Sequence, residues 1–157
     1  MTDANNAVGL LTPFYFNHHM AITQLSCRLH LIPRSEDTMQ INYDRAEKAV
    51  VNGKLKALIV TNPCNPTGTV AGQDTLQRIA RMCANNGCAL ILDNTYADFV
   101  YDGNGRLEGL NEPNVLNVYS FSKNYAMSGW RVGYVTYHDT FAEAMLKVGC
   151  FLHINYC

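Results

Sequence analysis

Six short apolar runs, separated by stretches of helical periodicity, restrict the fold of this chain more than any other feature. The runs are VGLL (8–11), RLHLIP (28–33), KALIVT (56–61), CALILD (88–93), VLNVYS (115–120) and RVGYVTY (131–137). They are four to seven residues long and several are rich in Val, Ile and Leu, as parallel strands covered on both faces are. Residues 15–26 place Ala21, Ile22 and Leu25 on one side of a helix. Residues 44–51 follow Asn42, a suitable N-cap, and stop at Asn52-Gly53. Residues 73–86 gather Leu76, Ile79, Ala80 and Cys83 on one face and close at Asn86-Gly87. A last helix is predicted from about Asp139 to Val148. This alternation predicts an α/β three-layer sandwich with a mostly parallel sheet. At 157 residues the chain is about one domain long, without repeats or an internal linker.

Charge and cysteine usage narrow the function classes. A net charge of −1 gives no field to recruit nucleic acid or an anionic membrane surface. No apolar run approaches the ~20 residues of a membrane helix. The N-terminus carries no basic-then-apolar signal pattern, so a cytoplasmic setting is expected, or an organelle matrix if a transit segment precedes Met1. The six cysteines form no C-x-x-C pair and precede no paired histidines, so no metal site is expected. Cys83 and Cys88 in particular are expected as buried free thiols.

In parallel sheets ligands bind beyond the carboxyl ends of the strands. After KALIV, TNPCNPTGT (61–69) makes a rigid non-helical bend that holds an asparagine in place. After CALIL, Asp93 ends a buried strand and needs a partner for its charge, or serves as a helix N-cap; Tyr96 follows three residues on. After VLNVY come Ser120, Ser122 and Lys123, then Arg131. The two serines share a side if the backbone stays extended, and hydroxyls with a guanidinium suit a phosphate dianion. A surface ion pair and a solvated loop lysine are the ordinary alternatives for Arg131 and Lys123. After VGLL, Tyr15 lies in an aromatic run, either as core or flat against a planar ring. His18 and His19 diverge on a helix and make poor joint metal ligands. One ligand uses an aromatic face, an asparagine, an aspartate and a serine–lysine–arginine group together. It is pyridoxal 5'-phosphate, a pyridine with a phosphate arm and an aldehyde that condenses with an amine.

The stretches NPCNPTG, LDNTYADFVYDG and SFSKNYAMSGWRVGY, with the looser TPFYFNHHMA, resemble the large domain of class I/II aminotransferases, fold-type I pyridoxal-phosphate enzymes. The resemblance implies Lys123 as Schiff-base lysine and proton carrier, and Asp93 as partner of the pyridine nitrogen. It implies Asn65 and Tyr96 at the ring oxygen, Ser120, Ser122 and Arg131 at the phosphate, and Tyr15 stacked on the ring. The implied activity is transfer of an amino group from an amino acid to a 2-oxo acid. Its alternatives are a C–S lyase or aminocyclopropane-carboxylate synthase-like enzyme of the same fold, or a non-catalytic remnant that pairs with a full-length relative. The family's chains are longer. An upstream phosphate-binding helix start is missing, as is a downstream small domain whose arginine holds the substrate α-carboxylate. The arginines at 28, 34, 45, 78, 81 and 106 lie in no such segment. Residues 1–157 are thus expected to be a partial cofactor-binding large domain, inactive alone and homodimeric in its full-length form. GNGRLEG (103–109) is not a dinucleotide-binding G-x-G-x-x-G.

Overall fold

The structure is a computed structural model that describes residues 6–101 and 108–153, with side chains through Gly149. Most of GNGRLEG, Arg106, the side chain of Cys150 and Cys157 lie outside the described residues.

Each apolar run becomes a strand: β1 Ala7–Thr12, β2 Arg28–Pro33, β3 Leu55–Thr61, β4 Ala89–Asp93, β5 Val115–Ser120 and β6 Gly133–Tyr137. They form one six-stranded sheet in the order β2-β1-β3-β4-β5-β6. Five strands run parallel, and β6 closes one edge antiparallel to β5, pairing Ser120 with Gly133 and Leu116 with Tyr137. A side chain at Gly133 would collide with the Tyr119 carbonyl oxygen, so glycine is required for β6 to begin there.

The helices are α1 Phe16–Gln24, α2 Tyr43–Gly53, α3 Gln73–Asn85, α4 Phe121–Asn124 and α5 Ala142–His153. The Asn42 side chain caps α2 by accepting from the Arg45 N–H at 3.0 Å. Alternation along the strands divides the core. Leu55, Leu58 and Val60 of β3 join Leu90 and Leu92 of β4 under α2 and α3. Ala57, Ile59 and Val8 face the other way, toward Ile22 of α1. That second face is thinly covered. Only Ile22 of α1 is buried, whereas Ala21 and Leu25, expected on its inner side, are exposed. An apolar groove of about 900 Å³ runs from Leu25 past Ala57 and Ile91 to Phe141, just before α5, and to Ala144 and Met145 in its first turn.

Candidate functional site

The carboxyl ends of β1, β3, β4 and β5 lie side by side, and the sequence places its polar residues there. The strand pairing Asp93↔Val118 and the 2.8 Å bond from the Asn94 N–H to the Val118 carbonyl tie the end of β4 to β5. Asp93 is 7 % exposed. Its Oδ1 accepts from the Thr95 backbone N–H at 3.0 Å and from the Thr95 hydroxyl at 2.6 Å. Its Oδ2 lies 2.9 Å from His18 Nε2. An ionised carboxylate only accepts, so Nε2 carries the proton of this bond. Burial pushes the Asp93 carboxyl up, but the bonds from His18 and Thr95 outweigh it and hold the group below the usual carboxylate range. Asp93 is therefore a shielded, oriented anion rather than only a turn former.

His18 is the residue that sequence reasoning missed. From the sequence it reads only as a poor joint metal ligand with its neighbour His19. In the structure the two histidines do diverge: His19 stacks on Phe14 at 5.8 Å, while His18 turns to Asp93 and also lies 3.3 Å from the Thr61 hydroxyl. The available signal was the need of a buried aspartate for a partner, combined with a histidine in the first turn of the helix after β1, whose end lies one strand beyond β3 from that of β4.

Tyr15 precedes α1 and is half-buried. Its ring meets that of His18 edge-on at 5.7 Å, and its hydroxyl accepts from the Asn17 side chain at 2.8 Å. Asn65 is half-buried in the turn after β3. The other asparagine of that motif, Asn62, is consumed structurally: its side chain donates to the Ala71 carbonyl at 3.0 Å and accepts from the Ala71 N–H at 2.8 Å. The loop that carries Asn65 is clamped by this pair. Tyr96 is half-buried after β4, edge-on to Phe99 at 6.1 Å.

The serine–lysine–arginine segment departs from its expected backbone. The chain does not stay extended through Ser122; it turns into α4 at Phe121, so period-two alternation no longer relates Ser120 to Ser122. They are related by a cap instead, with Ser120 Oγ accepting from the Ser122 N–H at 3.1 Å. Lys123 lies in the last turn of α4 and is exposed. Arg131 has a left-handed backbone, φ 53°, after a single 3-10 turn at Ser128–Trp130. Its guanidinium donates to the Ser128 carbonyl at 2.8 Å and is otherwise solvent-facing. The large apolar groove is not this site, because it lies on the thinly covered sheet face. Among the described residues no three His, Cys, Asp or Glu side chains converge as metal ligands.

The family model for aminotransferase class I and II matches residues 1–154. The chain belongs to this family. Its relatives include the aromatic aminotransferase ISS1 of Arabidopsis thaliana, 38% identical over 156 residues, which cover 94% of this chain and 39% of the relative. They also include the tomato (Solanum lycopersicum) 1-aminocyclopropane-1-carboxylate synthase 4, 30% identical over 96% of this chain and 35% of its own length. An aromatic aminotransferase structure from Pyrococcus horikoshii superposes with a TM-score of 0.82 at 31% identity, over 96% of this chain and 41% of that one. The chain thus spans about two-fifths of the length of these relatives. The match accounts for the fold, with its parallel strands and antiparallel edge strand. No helix among the described residues is long and apolar enough to cross a membrane.

Proposed function

We propose that this chain holds pyridoxal 5'-phosphate within a transaminase that moves an amino group from an amino acid to a 2-oxo acid. The observation that carries the reading is Asp93: a buried carboxylate kept ionised by His18 and Thr95, at a strand end beside the one followed by Lys123. The donor set fits the group. A shielded anion suits a protonated ring nitrogen, an exposed amine suits an aldehyde, and two hydroxyls with a solvent-facing guanidinium suit a phosphate. When bound, the cofactor supplies a carbonyl for an amine and a ring that withdraws electrons from the substrate α-carbon. Asp93 would hold the proton on the ring nitrogen, and His18 holds Asp93 in position and charge. Asn65 and Tyr96 would bond the ring oxygen, Ser120, Ser122 and Arg131 would bind the phosphate, and Tyr15 would cover the ring. Lys123 would hold the cofactor at its carbonyl and would move the proton at the substrate α-carbon.

The similarity to a 1-aminocyclopropane-1-carboxylate synthase supports a second reading, in which the same residues serve an elimination or ring closure. A requirement for a 2-oxo acid acceptor separates the two: a transaminase consumes one, and a lyase or cyclase turns over without it. The Lys123 assignment is tested by loading the protein with pyridoxal phosphate, reducing with borohydride and mapping peptides. Label is expected on Lys123. Label confined to Lys48, Lys54, Lys56 or Lys147 rejects the site.

A further inference from the structure

The carboxyl end of α3 closes in a Schellman motif. The Gly87 N–H bonds the Ala84 carbonyl at 3.1 Å, the Cys88 N–H bonds the Cys83 carbonyl at 2.9 Å, and Gly87 takes φ 61°. This motif brings the side chains of its first and last residues together, usually as an apolar contact. Here both are cysteines, and each thiol is the other's strongest electrostatic neighbour; the Cys88 Sγ also lies 3.5 Å from the Ala89 carbonyl oxygen. The direct main-chain bond between the two residues holds their Cα atoms within about 6.8 Å by covalent geometry alone, inside the span a disulfide bridges. The pair is fully buried from bulk water, yet Cys88 with Ala84 and Gly87 forms part of the wall of the apolar groove, where Lys56 of β3 also lies.

We propose that Cys83 and Cys88 are a reactive dithiol that a hydroperoxide converts to an intramolecular disulfide without unfolding of the chain. The two sulfurs have distinct roles. The neighbouring Cys83, aided by the charge of Lys56, holds the Cys88 thiol below its ordinary range despite burial. The neighbouring Cys88, together with burial, pushes Cys83 up. Cys88 is the attacking thiolate and Cys83 keeps its proton. In the first step the Cys88 sulfur bonds one peroxide oxygen, the O–O bond breaks, and the departing oxygen leaves with the proton that Cys88 gave up. In the second the Cys83 sulfur bonds the Cys88 sulfur, the S–O bond breaks, and the oxygen leaves as water with the Cys83 proton. Two sulfurs lose two electrons in all, and the peroxide is reduced by two. The bond would tie the end of α3 to the start of β4, the strand that ends in Asp93.

The test treats the folded protein with hydrogen peroxide, quenches, denatures, alkylates with N-ethylmaleimide and digests with trypsin. Residues 82–106 form one peptide containing both cysteines. It is expected to be about 2 Da lighter and to take no alkyl group, with dithiothreitol restoring both alkylations. Cys27 and Cys64, on other peptides, are expected to remain alkylatable. In Cys83→Ser the Cys88 sulfenic acid is expected to be captured by dimedone, and in Cys88→Ser the Cys83 thiol is expected to persist. The proposal is overturned if peptide 82–106 takes two alkyl groups while other cysteines have oxidised, or if its disulfide forms only in guanidinium. The unsubstituted protein decides this even if a variant does not fold.

Discussion

Asp93 is worth most through what its neighbours do to its charge. Burial alone would favour its neutral form; His18 and Thr95 reverse that. Because its native carboxyl lies below its unfolded value of ~3.9, it contributes stability that is full above that pH. The contribution is lost as pH falls through the lower native value. Urea midpoints measured between pH 6 and 2 are expected to fall on the acid side, and to fall less in Asp93→Asn. In a cofactor-loaded, active form Asp93→Asn keeps the size but cannot hold a ring proton. It is expected to slow turnover about a hundredfold, or ~3 kcal/mol, with a much smaller effect on folding. Turnover near the parental rate would leave Asp93 as a turn former. His18→Phe removes the bond to Oδ2 and leaves the burial penalty, so the Asp93 carboxyl is expected to titrate at higher pH than in the parent, as followed by carbon NMR. An unmoved titration would show that Thr95 suffices.

At the scale of elements, two buried asparagines do work that strand pairing does elsewhere. Asn62 bonds both main-chain groups of Ala71, and Asn117 does the same for Leu110, at 3.0 Å and 2.9 Å. Each clamp ties a loop to a strand that bounds the site. Asn62→Ala would leave the Ala71 N–H and C=O buried without those partners, at a cost of about 1–3 kcal/mol. It is expected to lower the urea midpoint and, because this loop carries Asn65, to weaken cofactor retention as well. A variant with unchanged midpoint would show that the clamp contributes nothing to stability. β1 and β3 were legible because parallel strands buried on both faces leave unbroken apolar runs, and RLHLIP and VLNVYS match β2 and β5 residue for residue although β2 is a mostly exposed edge strand. The Asn42 cap and the Asn86-Gly87 stop were legible because each is a local device. What escaped depends on distant contacts. The pairing of His18 with Asp93 spans 75 positions in sequence. α4 is too short to show a period, so Ser122 was read as part of an extended segment. The inner face of α1 was misjudged because Leu25 borders the open groove and does not pack beneath the helix.

At the scale of the whole molecule, the two faces of the sheet are unequally protected, and its β6 edge is aromatic and exposed. α2 and α3 seal one face, and the core beneath them includes fully buried Leu58, Val60, Leu90 and Leu92. The other face opens as the apolar groove between α1 and α5. Along the β6 edge, Val132, Tyr134 and Tyr137 are exposed, and Trp130 nearby is 73 % exposed. An apolar groove and an aromatic strand edge both favour association, the first by burying surface and the second by offering unpaired main-chain groups. The 157-residue chain by itself is therefore expected to run as oligomers in size exclusion with light scattering. Lysine at Tyr134 and Tyr137 would place charge on the edge, and glutamine at Met145 would place a polar group in the groove. If the edge dominates, the two lysines alone restore a monomer; if the groove dominates, the glutamine does. A monomeric parent would show that neither surface needs a cover.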